Sequence, residues 1–124
     1  MSAKGELKVH RIVVAIDSGH VANPDNCRTQ AESNVVFGLG AVLYHENNVQ
    51  DGRIVESNFH DFPLLAIAEM PKVETVLVPT GGFWGGHGEP AILPLAPPVC
   101  NAVSRAIGKR VRALPLKHYA LRSP

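Results

Sequence analysis

The sequence has few aromatic residues, almost no net charge and no long apolar run. Aromatic residues make up 6% of its 124 residues, and the formal net charge is +1. Nucleic-acid-binding proteins usually carry a basic surface with aromatic side chains among the cations, so this composition speaks against a nucleic-acid partner. No apolar run approaches the roughly 20 residues of a membrane-spanning helix, so we expect no membrane insertion.

Metal-binding sequence patterns are also lacking. Cys27 and Cys100 lie far apart and outside any CxxC pattern, which supports neither a zinc site nor an iron–sulfur cluster in this chain. The histidines show no HxH or HExxH spacing, so we predict no metal bound directly by protein side chains. The first residues lack the apolar stretch of a secretory signal, and the localisation stays open between cytoplasm and periplasm.

The first half of the sequence predicts a strand followed by a helix. A hydrophobic content of 45% is enough for one globular domain over residues 1–124. Val9–Ile16 is apolar and rich in β-branched residues, which predicts a central strand covered on both faces. Asn23-Pro24-Asp25 combines a helix N-cap, a proline for the first helical position and an acid for the first turn, so a helix should begin there.

The second half predicts a hairpin, a strand and a second helix. Asp51-Gly52 between short β-forming segments is a strong hairpin signal. Val73–Val78 predicts a strand, and Pro90 suits the first turn of a helix that Gly108 ends. The order strand, helix, hairpin, strand, helix favours a two-layer α/β (α+β) fold, with the sheet topology left open.

The loop 81–89 carries the most unusual local composition, five glycines within nine residues. Glycines let backbone N–H groups approach a ligand closely, and an anionic group is the natural partner for such donors. Glu89 closes this loop and could act as a base, or it could simply cap the following helix. A plain mobile loop is the further alternative.

Polar side chains also gather around the end of the first predicted strand. Asp17, Asn23, Gln30 and Asn34 lie there, at a position where α/β folds often bind ligands. Turn and cap chemistry accounts for Asp17 and Asn23 and leaves Gln30 unexplained.

Three blocks of the sequence resemble one family in the same order. They are HRIVVAIDSGHVANPDNCRTQAESNVVFGLGAVLYHE, GRIVESNFHDFPLLAIAEMP and GGHGEPAILPLAPPVCNAVSRAIGKRVRALPL. They resemble the large subunits of the xanthine dehydrogenase and aldehyde oxidase family of molybdenum hydroxylases, in particular the isoquinoline 1-oxidoreductase branch, over about residues 7–116. The resemblance implies that the chain is part of the C-terminal molybdopterin-binding domain of that type.

The resemblance also implies an activity and a set of site residues. The family oxidises N-heteroaromatic or aldehyde substrates with water as the oxygen source, and its general-base glutamate falls on Glu89. Gly86, His87 and Gly88 would lie near the metal's ligands. The residues of the second block that would approach the cofactor are Asp17, Ser18 and Gln30.

Cofactor and partners follow from the same resemblance. The complete enzyme would hold molybdenum in molybdopterin, in its cytosine dinucleotide form, and the isolated chain would lack it and be inactive. The expected partners are the remainder of the large subunit, an iron–sulfur subunit or domain and a cytochrome subunit. The isolated chain is expected to form homo-oligomers because faces that were interior would be exposed.

The chain departs from the family pattern at three places. His87 replaces a small apolar residue, Phe83-Trp84 stands where a proline is common, and Ser33-Asn34 replaces a glycine pair. Two other functions therefore stay open. One is a non-catalytic, self-associating orphan domain, and the other is an anion- or nucleotide-binding domain that uses the glycine-rich loop.

Overall fold

The computed structural model describes residues 5–119 and 121, which form helices and strands in the predicted order. Short 3₁₀ turns lie at Ile67–Glu69, Leu93–Leu95 and Leu116–His118. The regular elements are β1 (Arg11–Ile16), α1 (Pro24–Leu43), β2 (Val49–Gln50), β3 (Arg53–Ile54), β4 (Lys72–Leu77) and α2 (Ala96–Ile107).

The two longer strands form a parallel pair. β1 lies beside β4 with Arg11 opposite Lys72 and Ile16 opposite Leu77. Parallel strands end at the same edge of a sheet, so the loops that follow β1 and β4 emerge side by side. The predicted α/β fold is confirmed, and the topology that the sequence left open is parallel.

The prediction that β1 is a central strand is wrong within the described residues. β1 pairs with β4 on one side, and the part of the chain that the structure describes supplies no strand on the other. Its side chains alternate: Ile12 and Val14 face the helices, whereas Val13 is 51% exposed. The apolar run suggested two covered faces, and no element in the described part covers the second one.

Helix α1 begins where its N-cap predicted. The Asn23 side-chain oxygen accepts hydrogen bonds from the N–H groups of Asp25 at 3.1 Å and Asn26 at 3.0 Å, with Pro24 at the first helical position. Its later turns pack closely on the chain before α2, because a Cβ added at Gly38 would lie 2.6 Å from Leu95 Cδ2. The main core joins the two helices and consists of Val35, Leu39, Val42, Leu95, Val99, Val103, Ile107 and Leu116.

The hairpin forms at the predicted turn. Asp51 and Gly52 both have positive φ, 49° and 76°, as a type I′ turn requires. Every residue from 49 to 54 is exposed, so the hairpin stands away from the core.

The second helix begins later than predicted. Residues 89–92 form a turn and Leu93–Leu95 a 3₁₀ turn, and α2 starts at Ala96. Pro94, Pro97 and Pro98 lack N–H groups, so a helix running from Pro90 would lose several internal hydrogen bonds. Starting at Ala96 places two of these prolines in the first turn, where N–H groups have no helical partner. Gly108, with φ of 68°, ends the helix as predicted.

Neither helix in the described part is long and apolar enough to cross a membrane.

Candidate functional site

The loops after β1 and β4 are joined by backbone hydrogen bonds. We call residues 17–20 and 78–88 the paired loops. Gly81 N–H donates to the Gly19 carbonyl at 2.8 Å, and Gly85 N–H donates to the Ser18 carbonyl at 3.1 Å. These bonds lie at the carboxyl edge of the parallel strands, where open α/β sheets commonly bind ligands.

Gly19 allows the paired loops to approach this closely. Its φ is 75°, and a Cβ at this position would lie 2.0 Å from the Phe83 carbonyl oxygen. Any other residue would force the two loops apart. The glycine is therefore required by the contact as well as by its own backbone conformation.

The Asp17 carboxylate connects the two loops. It accepts from the Gly19 N–H at 2.8 Å and from the Thr80 hydroxyl at 3.0 Å. The hydrogen bond from the Gly19 backbone, followed by that from Thr80, lowers the pKa of Asp17 below its ordinary value. The interpretation of Asp17 as a turn residue fits these bonds, and its contact with a cofactor stays a prediction.

Ser18 and the aromatic pair complete the paired loops. Ser18 is 5% exposed, and its hydroxyl donates to the His20 carbonyl at 3.2 Å. The His20 ring stacks on Trp84 with ring centres 4.8 Å apart. Phe83 is 90% exposed, so the bulky pair that departs from the family pattern stands at the surface of this chain.

Asn34 and Gln30 on α1 hold the end of the glycine-rich loop. The Asn34 side-chain nitrogen donates to the Gln30 carbonyl at 2.7 Å and to the Gly88 carbonyl at 2.9 Å. Its side-chain oxygen accepts from Ala91 N–H at 3.0 Å. The Gln30 side-chain nitrogen donates to the same Gly88 carbonyl at 2.6 Å. We call these contacts the amide clamp.

Sequence reasoning missed the role of Asn34, which it treated as one of the polar residues near the end of the first strand and as part of a departure from a glycine pair. The signal was present in the spacing: Asn34 follows Ala31 and precedes Val35 on the buried face of the helix, where it is 1% exposed. A buried amide needs hydrogen-bond partners, and nearby loop backbone is their usual source. For Gln30, which turn chemistry left unexplained, the structure supplies a partner in Gly88.

Glu89 lies inside the segment that the amide clamp holds. It is exposed and opens a turn in which Ile92 N–H donates to the Glu89 carbonyl at 3.3 Å. Because α2 begins only at Ala96, the interpretation of Glu89 as a helix cap is wrong. Among the described residues, no side chain or backbone group forms a hydrogen bond with its carboxylate. This carboxylate is therefore available to an outside group.

The His87 ring has buried polar atoms with no partner. Both of its ring nitrogens are buried, and neither forms a hydrogen bond within residues 5–119 and 121. A Cβ added at Gly86 or at Gly88 would meet nothing within 4 Å, so the loop has open space on either side of His87. A buried polar atom without a partner costs free energy unless a ligand or water satisfies it, so His87 marks a place where an outside group could bind.

The predicted site residues fall into two groups. The paired loops hold Asp17 and Ser18, and the amide clamp joins Gln30 to Gly88 next to Glu89. In the described part of the chain, no three histidine, cysteine, aspartate or glutamate side chains lie close enough to hold a metal ion.

Comparison with known proteins gives one consistent family. A family model described as a molybdopterin cofactor-binding domain matches residues 2–71. The chain is 34% identical over 115 residues to the beta subunit of isoquinoline 1-oxidoreductase from Brevundimonas diminuta, covering 93% of this chain. It is 30% identical over 113 residues to a nicotinate dehydrogenase subunit of Pseudomonas putida, covering 90% of this chain.

Solved structures agree on the fold. Quinoline 2-oxidoreductase from Pseudomonas putida 86 matches 88% of this chain with a TM-score of 0.73 and 21% identity. The chain is short beside its relatives, since it spans 15% of the isoquinoline 1-oxidoreductase subunit and 10% of the nicotinate dehydrogenase subunit. The resemblance of the three sequence blocks is thereby confirmed, and the chain belongs to the molybdopterin cofactor-binding domain family of molybdenum hydroxylases.

Proposed function

We propose that this chain supplies the general base Glu89 and one wall of the molybdopterin site to a molybdenum hydroxylase. The observation that carries the proposal is the amide clamp, which fixes the backbone on both sides of a carboxylate that has no hydrogen-bond partner among the described residues. Two relatives are named for isoquinoline and nicotinate, both N-heteroaromatic compounds. We take N-heteroaromatic compounds or aldehydes as the substrate class, with water as the oxygen source.

Several residues of the chain would hold the cofactor. His87 has two unpaired ring nitrogens, and Gly86 and Gly88 leave room for a group to approach the backbone beside it. Asp17, Ser18 and Gln30 would approach it from the neighbouring loop and helix. When bound, molybdopterin, in the cytosine dinucleotide form that the resemblance implies, would supply the molybdenum centre that accepts the electrons of the oxidation.

Glu89 would move the proton of the reaction. A general base must be ionised and within hydrogen-bonding reach of the proton it removes. The Glu89 carboxylate has no hydrogen bond within the described residues, and the clamp fixes the position of its backbone. The residue therefore combines a free proton acceptor with a defined location.

The glycine-rich loop gives less support to an independent anion- or nucleotide-binding domain. Gly81 and Gly85 already donate their N–H groups to the carbonyls of Gly19 and Ser18. A phosphate-binding loop needs such N–H donors to be free and directed at the same ligand.

The other alternative, an orphan domain, predicts that the coding region upstream has no relation to a large subunit.

The isolated chain should bind no molybdopterin tightly. Cofactor sites bury about 70–90% of a ligand's surface, and this chain offers one open wall with Glu89 exposed. Elemental analysis of the purified chain should find molybdenum far below one atom per chain. Stoichiometric molybdenum would show that the chain encloses the cofactor alone.

The remainder of the large subunit would dock on the free edge of β1. His10 and Ile16 direct their carbonyls at β4, where they accept from Lys72 at 3.0 Å and Val78 at 2.9 Å. The alternate backbone groups, such as those of Val13, therefore face away from β4 and can pair with another strand. An apolar groove of about 750 Å³ runs along this edge to α2.

The same edge explains the homo-oligomers expected of the isolated chain. Unpaired strand edges and uncovered apolar surface drive association in the absence of the proper partner. Light scattering should find oligomers of the chain, and addition of the separately produced remainder of the large subunit should replace them with a one-to-one complex. A strictly monomeric chain at high concentration would contradict the proposal that this edge is a docking surface.

The iron–sulfur and cytochrome partners would join the assembled enzyme, not this chain alone.

Glu89→Gln in the complete enzyme tests the assignment. Glutamine keeps the shape and loses proton acceptance, so turnover should fall by about 10⁴-fold, the upper end for general-base catalysis, with molybdenum content and substrate binding retained. The limb of the pH–rate profile that rises with pH should vanish as well. Retention of more than about a tenth of the wild-type rate at full molybdenum occupancy would refute the base assignment.

A further inference from the structure

We propose that Asn34 is the positioning residue for Glu89, which it holds through the peptide groups on either side of that residue. The inference rests on the proposed function, because it gives Asn34 a part in catalysis only if Glu89 is the base. Asn34 contacts neither the Glu89 side chain nor any reacting atom. It acts through the backbone.

Asn34 forms hydrogen bonds on both sides of the Glu89-Pro90 pair, an arrangement that we call the bracket. Its amide nitrogen donates to the carbonyl of Gly88 at 2.9 Å, and its amide oxygen accepts from the N–H of Ala91 at 3.0 Å. Glu89 and Pro90 are the only residues between these two points. One side chain therefore fixes the entry and the exit of the segment that carries the base.

Within the described residues, no other side chain forms hydrogen bonds at both ends of this segment. Ala91 also packs against Ile16 and Ala31, but that contact lies only at the Ala91 end. Pro90 has no N–H to donate, and α2 begins too late to fix the segment through helical hydrogen bonds. Gln30 holds only the Gly88 side of the bracket.

The support beneath Asn34 is rigid. Asn34 is 1% exposed and lies beside Val35, which is fully buried in the contact between α1 and α2. Its amide is also neutral at all relevant pH values, so it fixes the segment without adding a second proton acceptor next to the base. A helix that is locked by packing is the kind of scaffold that sets a catalytic group accurately.

The first test measures amide hydrogen exchange in the full 124-residue chain. In the wild type, the Ala91 N–H should exchange at least about tenfold more slowly than the Gly88 N–H, because only the former is buried and hydrogen-bonded. Asn34→Ala should remove that protection while the core amides of α1 keep theirs. Asn26→Ala, which changes an exposed asparagine in the first turn of the same helix, is the matched control and should leave Ala91 protected.

The second test measures turnover per molybdenum in the complete enzyme. Misplacement of a catalytic group by about 1 Å can cost up to 100-fold, so Asn34→Ala should lower kcat by about 10- to 100-fold with KM and molybdenum content little changed. Asn34→Asp keeps the size and the acceptor for Ala91 N–H but places a buried carboxylate oxygen against the Gly88 carbonyl, so its kcat should be no higher than that of Asn34→Ala. Asn26→Ala should match the wild type.

The outcomes separate this inference from the proposed function. If Glu89→Gln removes turnover but Asn34→Ala keeps wild-type kcat, the positioning role fails and the base assignment stands. A loss of rate that only follows loss of molybdenum would also overturn the positioning role. If Asn34→Ala does not fold, the wild-type exchange rates still decide: an unprotected Ala91 N–H contradicts the bracket.

Discussion

The helical core and the paired loops are held together in different ways. In the core, Val35 and Leu39 on α1 meet Val103 on α2 through apolar contacts that have no required direction. In the paired loops, Gly81 and Gly85 meet Gly19 and Ser18 through backbone hydrogen bonds of 2.8 and 3.1 Å. The core should therefore respond to the volume of side chain removed, whereas the loops should respond to small changes of geometry.

Helix α1 belongs to both regions. Val35 and Leu39 face the core, and the adjacent Asn34 holds the segment around Glu89. The hydrogen bonds from Asn34 therefore start from a helix whose position is set by apolar packing, which has no preferred direction. This arrangement predicts that the two regions can be weakened separately.

The largest effect should come from Leu39→Ala. Leu39 is fully buried, and leucine-to-alanine changes in cores cost about 2–5 kcal/mol of unfolding free energy. Urea denaturation would measure the loss. Phe37→Ala on the same helix is the control, because its side chain is 57% exposed and its change should lie within about 0.5 kcal/mol of zero. Equal losses for the two variants would contradict the assigned core.

An intermediate effect is expected from Gly19→Ala, measured against Gly81→Ala. Both glycines have similar positive φ, 75° and 73°, so both variants should carry about 1–2 kcal/mol of backbone strain. Only at Gly19 would the new Cβ meet another backbone atom, the Phe83 carbonyl oxygen at 2.0 Å. We expect Gly19→Ala to cost about 1–3 kcal/mol more than Gly81→Ala.

The comparison of the two glycine variants isolates the loop contact. Urea denaturation gives the difference in unfolding free energy, and amide exchange at Gly85 reports whether the loops have separated. If both variants lose the same unfolding free energy and the Gly85 N–H stays protected in both, the close approach at Gly19 contributes nothing to stability.

The smallest effect concerns pH and the bond between Asp17 and Thr80. The lowered pKa of Asp17 means that its folded-state bonds stabilise the chain above the ordinary value of 3.8 and are lost as pH falls through the lower folded-state value. Thr80→Val removes the hydroxyl donor, leaves the backbone N–H groups of residues 19 and 80 in place, and should move the pKa of Asp17 upward. Carboxyl NMR titration would show this shift, and Thr29→Val on the exposed face of α1 should leave Asp17 unchanged.

The sequence predicted where helices and turns begin and end better than how the elements pair and pack in space. The N-cap at Asn23, the turn at Asp51-Gly52 and the cap at Gly108 are local signals, and the structure confirms all three. The parallel pairing of β1 with β4 depends on residues more than 50 positions apart, which no local pattern encodes. Helix α2 begins later than predicted because Pro94, Pro97 and Pro98 together displace its start to Ala96.

The site was predicted in part. The glycine-rich loop and Glu89 were recognised from composition and from the resemblance, and Gln30 was singled out as unexplained. The sequence spacing places Asn34 on the buried face of α1 but does not identify its partners, because the Gly88 and Ala91 backbone meets Asn34 only when the loop lies against α1. Which residues contact a cofactor stays a prediction for all six positions named from the resemblance, which are Asp17, Ser18, Gln30, Gly86, His87 and Gly88.

The exposed hairpin offers a place to lengthen the chain. The turn at Asp51-Gly52 contacts neither the core cluster nor the paired loops, and a Cβ at Gly52 would meet nothing within 4 Å. Extra residues in an exposed flexible loop cost little, about 0.6 kcal/mol for each doubling of its length. A peptide tag or fluorescent label inserted between these two residues would therefore report on the assembly of this chain into the large subunit and leave the register of β1 and β4 intact.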